Sequence, residues 1–184
     1  MSERLVEQAR RGDVDAFVAL IEERQVAMTR VAVAILGERV DAEDAVQATL
    51  VTLWRELPRL RKVERFGAWA DRILVNSCRL ILRRRRRRLV REIAIPGFGQ
   101  RSADQEPVST GGSSESAIGN RDVFRRAFDS LDADSRALIV LRHLEERSIA
   151  EMAAVLAIPE GTVKSRLFAA RRGLEVALAR EERA

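Results

Sequence analysis

Side chains able to do covalent chemistry are scarce in this sequence. His143 is its one histidine and Cys78 its one cysteine, and both lie in apolar helical surroundings. A nucleophilic thiol needs a base beside it, and none is near Cys78 in sequence. No Gly-rich phosphate loop occurs, and the acids form no recognisable metal cluster. The lone cysteine also excludes an internal disulfide. Catalysis, a cofactor and a metal are therefore not expected. Cations are plentiful instead. Arg79, the run Arg83 to Arg88 and Arg91 share a stretch without one acid, and Lys164, Arg166, Arg171 and Arg172 cluster near the other end. Arginine and lysine neutralise phosphates. They also donate to guanine O6 and N7, while a hydroxyl such as that of Ser165 serves base or phosphate. The chemistry on offer is recognition of an anionic polymer.

Those cations need elements to position them. The 184 residues carry a formal net charge of +5, with 46% hydrophobic and 33% charged residues, enough for one or two small cores. Two periodic blocks flank a break rich in Gly, Ser and Pro, including Pro96-Gly97 and Ser109-Thr110-Gly111-Gly112-Ser113-Ser114. That composition reads as a flexible linker. Its net acidity argues against a DNA contact of its own. The expected organisation is a first domain over 1–91, a linker over 92–119 and a second domain over 120–184. The fold class is all-α: two small helical bundles, the second containing a helix-turn-helix. The start MSERLVEQARRGD has no signal-peptide core. No run approaches the ~20 apolar residues of a membrane span. A cytoplasmic protein without membrane insertion is expected.

In the first block, Gly12 ends a short helix and Asp13 caps the next. Val14, Phe17, Val18, Ile21, Met28, Val31, Ala32 and Ile35 form its inward stripe, and Gly37 stops it. Asp41 offers an N-cap, with Glu43 and Asp44 in the first turn, where the helix dipole favours acids. Val46, Thr49, Leu50, Leu53, Trp54 and Leu57 make the next stripe, closed by Pro58. A basic loop with Arg59, Arg61, Lys62 and Arg65 leads into a helix whose outward side carries Arg72, Asn76, Arg79 and Arg83.

The second block holds four short helices. Val123, Phe124, Ala127, Phe128 and Leu131 face one way in the first. Asp132 or Asp134 caps the second, which turns Ala137, Leu138, Leu141 and Leu144 inward. Ser148 and Glu151 form a capping box for the third. The turn Ala157-Ile158-Pro159 then opens the last helix, with Val163, Leu167, Ala170 and Leu174 inward. Its outward face presents Lys164, Ser165, Phe168, Arg171 and Arg172. Such a second helix lies in the major groove with its early residues at base edges, where Phe168 can meet a thymine methyl. Taken singly, each cationic face also fits an ordinary solvated helix, and the acid-started helix fits a capped core element.

Together the segments DAEDAVQATLVTLWREL, FGAWADRILVNSCRLILRRRRRR and LDADSRALIVLRHLEERSIAEMAAVLAIPEGTVKSRLFAARRGLE resemble the extracytoplasmic-function group of bacterial sigma factors. The resemblance covers nearly the whole chain outside the linker. It implies a promoter-specificity subunit that binds core RNA polymerase and promoter DNA and has no enzymatic activity. Asp41, Glu43, Asp44 and Gln47 would meet the polymerase clamp. Arg61, Lys62, Arg65, Arg72, Asn76, Arg79 and Arg83 would bind the melted minus-ten strand, Asn76 helping to hold a flipped base. Lys164, Ser165, Phe168 and Ala169 would read the minus-thirty-five duplex, with Arg166 and Arg171 on phosphates. An anti-sigma protein that wedges between the domains is expected as regulator. The chain departs from the group's pattern at Ala48, Leu50 and Ala169, at Asp71, where an aromatic is usual, and at Glu146-Arg147, where Gly-Leu is usual. A helix-turn-helix regulator acting without polymerase is the alternative. It explains the second block equally well but leaves the 41–47 face and the 59–88 segment without a role.

Overall fold

The computed structural model describes residues 3–93 and 115–183, and all regular elements among them are helical. They are α1 (Glu3–Arg10), α2 (Val14–Leu36), α3 (Arg39–Glu56), α4 (Phe66–Ile93), α5 (Glu115–Asp129), α6 (Ala133–His143), α7 (Ile149–Leu156) and α8 (Glu160–Glu181). Two short 3-10 turns, Leu57–Arg59 and Val63–Arg65, join α3 to α4. The all-α, two-bundle layout is as expected, with α1–α4 in one bundle and α5–α8 in the other. Helix α4 reaches Ile93 and α5 starts at Glu115, so both enter the stretch read as linker. The rest of the expected flexible linker lies outside the described residues.

Local signals set most boundaries. Asp13 accepts from the Ala16 N–H at 3.0 Å and caps α2. Gly37 ends α2 in the left-handed region, at φ 78°. Asp132 caps α6 by accepting from the N–H groups of Asp134 and Ser135. Ser148 and Glu151 close a full capping box on α7. One cap differs: α3 begins at Arg39 behind Glu38, so Asp41 sits inside the first turn. Its carboxylate keeps the favourable dipole position without capping. Helix α8 is long because Gly173 does not break it; a Cβ there would meet Leu131 at 3.3 Å, so the glycine admits a close neighbour.

The stripes hold in their core but slip at the edges. Ala16, Leu20 and Ile21 face inward on α2, while Val14 and Val18 are exposed. Trp54 and Leu144, read as inward, are each 40% exposed. Periodicity fixes that a helix has an apolar face better than which edge residues belong to it.

The largest difference concerns the two bundles. They share one core. Helix α6 packs on α8 and α7 of its own bundle and on α2 and α4 of the other, and α7 also packs on α4. Six successive residues, Arg136 to Leu141, are buried. Leu138 and Leu141 belong to the same apolar cluster as Met28, Leu74 and Val75. A flexible linker would leave the two bundles free to separate, but a helix apolar all round must be covered on all sides. The buried Arg136 makes the seam polar as well as apolar, donating to the Ile35 carbonyl at 3.3 Å and pairing with Asp129 at 3.1 Å.

Candidate nucleic-acid interface and docking face

The capping box starts α7, and Ala157 ends it in the left-handed region, at φ 53°. Three residues later α8 begins, completing a helix-turn-helix. Val163, Leu167 and Ala170 bury one side of α8. The other side exposes Lys164, Ser165, Arg166, Phe168, Ala169 and Arg171, as the sequence pattern requires. Phe168 is 64% exposed, a large apolar ring held in water beside cations. The Ser165 hydroxyl donates to the Thr162 carbonyl at 3.1 Å, which leaves its lone pairs outward. No ion pair engages Lys164 or Arg166 among the described residues. Arg171 lies 3.3 Å from His143 Nε2. Partial burial, then the cations Arg171 and Arg142, hold the His143 pKa below its ordinary value, so the neutral ring accepts from Arg171.

Helix α4 and the turns before it form the second cationic surface. Arg61, Lys62, Arg65, Arg72, Asn76 and Arg83 are exposed. Arg79 is not: its side chain is 14% exposed and pairs with Asp134 of α6 at 2.8 Å. Burial lowers its pKa while Asp134 supports the charge. Arg83 reaches the same carboxylate at 3.8 Å and stays open to solvent. Arg85 turns back to Glu38 at 2.6 Å and to Asp41. The arginine run is thus divided between internal pairs and free charge. Arg166 of α8 is close enough to add like charge at Arg79, so both cationic helices approach one region.

The candidate docking face is on α3. Glu43, Asp44 and Gln47 are exposed. Asp41 is half-buried and tied to Arg85, so the structure separates it from the other three. Sequence reasoning missed the apolar half of this face. Val40 and Val51 stand exposed beside the acids, and Trp54 meets Phe17 of α2 edge-on at 5.0 Å. The signal was present: Val40, Asp44, Gln47, Val51 and Trp54 follow three- and four-residue steps opposite the buried Ala42, Ala45, Thr49 and Leu53. Buried Thr49 donates its one proton to the Ala45 carbonyl at 2.7 Å and accepts from the Ser77 hydroxyl at 3.2 Å, so its hydroxyl is satisfied. Cys78 is buried, and burial pushes its thiol up to about 12, far from a reactive thiolate.

Sequence and fold comparisons agree with this layout. The model of sigma-70 region 2 matches residues 20–88, and that of sigma-70 region 4 matches residues 121–174. The ECF RNA polymerase sigma-E factor of Escherichia coli K12 is 30% identical over 181 residues, covering 93% of this chain and 91% of the relative. The RNA polymerase sigma-H factor of Pseudomonas aeruginosa is 27% identical over 179 residues, covering 96% and 93%. Among solved structures, CnrH in complex with the cytosolic domain of CnrY has a TM-score of 0.63 at 27% identity and covers 96% of each chain. RpoE in complex with the anti-sigma factor NepR from Bartonella quintana has a TM-score of 0.64 at 26% identity, covering 89% of this chain and 96% of that one.

Proposed function

Because the chain belongs to the extracytoplasmic-function group of sigma-70 factors, it is a promoter-specificity subunit of RNA polymerase and not an enzyme, and we propose how its surfaces divide that work. One observation carries the division: the outward face of α8, mounted on a capped helix-turn-helix, is cationic, and no acid among the described residues pairs with Lys164 or Arg166. Lys164, Ser165, Phe168 and Ala169 read base edges of the minus-thirty-five duplex, while Arg166 and Arg171 grip its phosphates. Arg61, Lys62, Arg65, Arg72, Asn76, Arg79 and Arg83 bind the minus-ten element as a single strand. Glu43, Asp44 and Gln47, with Asp41 once released from Arg85, meet basic residues of the polymerase clamp. Val51 and Trp54 add apolar contact to that docking. The residues divide as a minus-ten and polymerase-binding domain over 1–91, a linker over 92–119 and a minus-thirty-five domain over 120–184. The helix-turn-helix regulator acting without polymerase is set aside, since family membership accounts for the α3 and α4 faces as well.

In this reading the protein works in the cytoplasm, since a subunit of RNA polymerase acts where the chromosome is transcribed. No described helix is long and apolar enough to cross a membrane. The regulator in this reading is a separate anti-sigma protein, the kind of partner that accompanies RpoE in its solved complex. Sequencing of transcripts started by the purified protein with core polymerase tests the whole reading and yields the promoter motif. Absence of a stable complex with core polymerase would overturn it.

A further inference from the structure

Two departures from the family pattern, far apart in sequence, meet in space. Asp71 on α4 and Arg147 before α7 form an ion pair at 2.7 Å across the seam between the bundles. Arg24 of α2 closes on the other oxygen of the same carboxylate. Asp71 is only 15% exposed. Arg30 and Glu145, at 2.7 Å, bridge the bundles nearby. A cavity of about 140 Å³ lies alongside, walled by Met28, Val31, Leu74 and Leu141.

Burial pushes the Asp71 carboxyl above its ordinary pKa, and Arg24 and Arg147 pull it back. The charge is therefore tolerated at the seam largely through its two cations. A buried pair adds little net stability, but losing one partner strands the other and strongly destabilises the arrangement. The Nε atoms of Arg24 and Arg147 are buried with no hydrogen-bond partner among the described residues, so the network is not fully satisfied there even when closed.

We propose that Asp71 and Arg147 form an inter-bundle lock that holds the free protein closed and unable to span a promoter. The second half of that statement rests on the sigma-factor reading. Elements at minus ten and minus thirty-five are separated by about 25 base pairs, or roughly 85 Å at ~3.4 Å per step. A compact chain of this length has a radius of gyration of about 16 Å. With Arg79 and Arg166 within electrostatic reach, α4 and α8 cannot straddle that distance. Opening must take Asp71 and Arg147 apart.

Small-angle scattering on the full chain tests the lock. The wild type should be compact. Arg147→Gln should raise the radius of gyration by several ångströms at unchanged far-ultraviolet helix signal. Adding Asp71→Asn should restore compactness, because the carboxylate that one cation cannot balance is gone and Arg24 keeps the Gly67 carbonyl as acceptor. Arg147→Lys keeps the charge and should stay compact, which covers the case in which the Gln variant loses helix. An expanded wild type, a Gln variant as compact as wild type, an expanded Lys variant, or a double variant that stays expanded with native helix content would each overturn the lock. Binding of a minus-thirty-five duplex uses an exposed face and should be equal in all four proteins. Loss of core-polymerase binding by the wild type would count against the functional reading and leave the scattering result standing.

Discussion

The two cationic helices solve the same electrostatic problem differently. Helix α8 leaves Lys164 and Arg166 exposed, and without an ion pair among the described residues, on a capped scaffold. Helix α4 commits Arg79 to Asp134 and Arg85 to Glu38 and Asp41. A preformed duplex suits the first arrangement, since its phosphates and base edges stand at fixed positions. A single strand becomes available only after melting, and a surface that meets it late can keep part of its charge satisfied within the protein until then.

The contrast can be broken most directly on α8. Lys164→Ala should weaken binding of a minus-thirty-five duplex by about 1–3 kcal/mol. Fluorescence anisotropy reads this, and unchanged affinity would mean that the open cations are not the reading surface. Ser148→Ala should take about 1 kcal/mol from stability by removing one half of the α7 capping box. Urea unfolding measures that loss, and it should leave the binding surface of the folded fraction intact. On α4 the direction should reverse. Asp134→Asn frees Arg79, so affinity for a single-stranded minus-ten oligonucleotide should rise, with a salt slope steeper by about 0.7 for one added phosphate contact.

The smallest effect belongs to His143. Its folded pKa is depressed, so the unfolded chain binds more protons just below the ordinary histidine range. The stability it contributes is present above that range and falls as pH drops through it. Protonation also turns the ring from acceptor to competitor for Arg171. Urea midpoints at pH 7.5 and 5.5 should differ slightly, and His143→Gln should remove that part of the difference.

Much of this was legible in the sequence because local rules decided it. Asp13, Gly37, Asp132 and the Ser148–Glu151 box act over three or four residues, and each sits where its chemistry predicts. The exposed face of α8 followed from the phase of Val163, Leu167 and Ala170. Long-range pairing was not legible. Nothing in the spacing of Arg79 or Arg85 reveals that an acid from α6 or α3 will claim it. The apolar end of the α3 face was missed because Trp54 also fits the inward stripe by period. The joining of the bundles left one local trace, the unbroken apolar run Ala137 to Leu141, which no single-faced helix needs.

That run has a consequence for how the molecule breathes. A helix sheathed by both bundles can expose its amides to solvent only when the bundles part or the chain unfolds. In hydrogen exchange, α6 should therefore be among the slowest segments of the free protein. A partner that pries the bundles apart would speed exchange along α6 while the capped ends of α7 and α2 kept their protection. The central helix would then report on the spacing of the two halves without any attached probe.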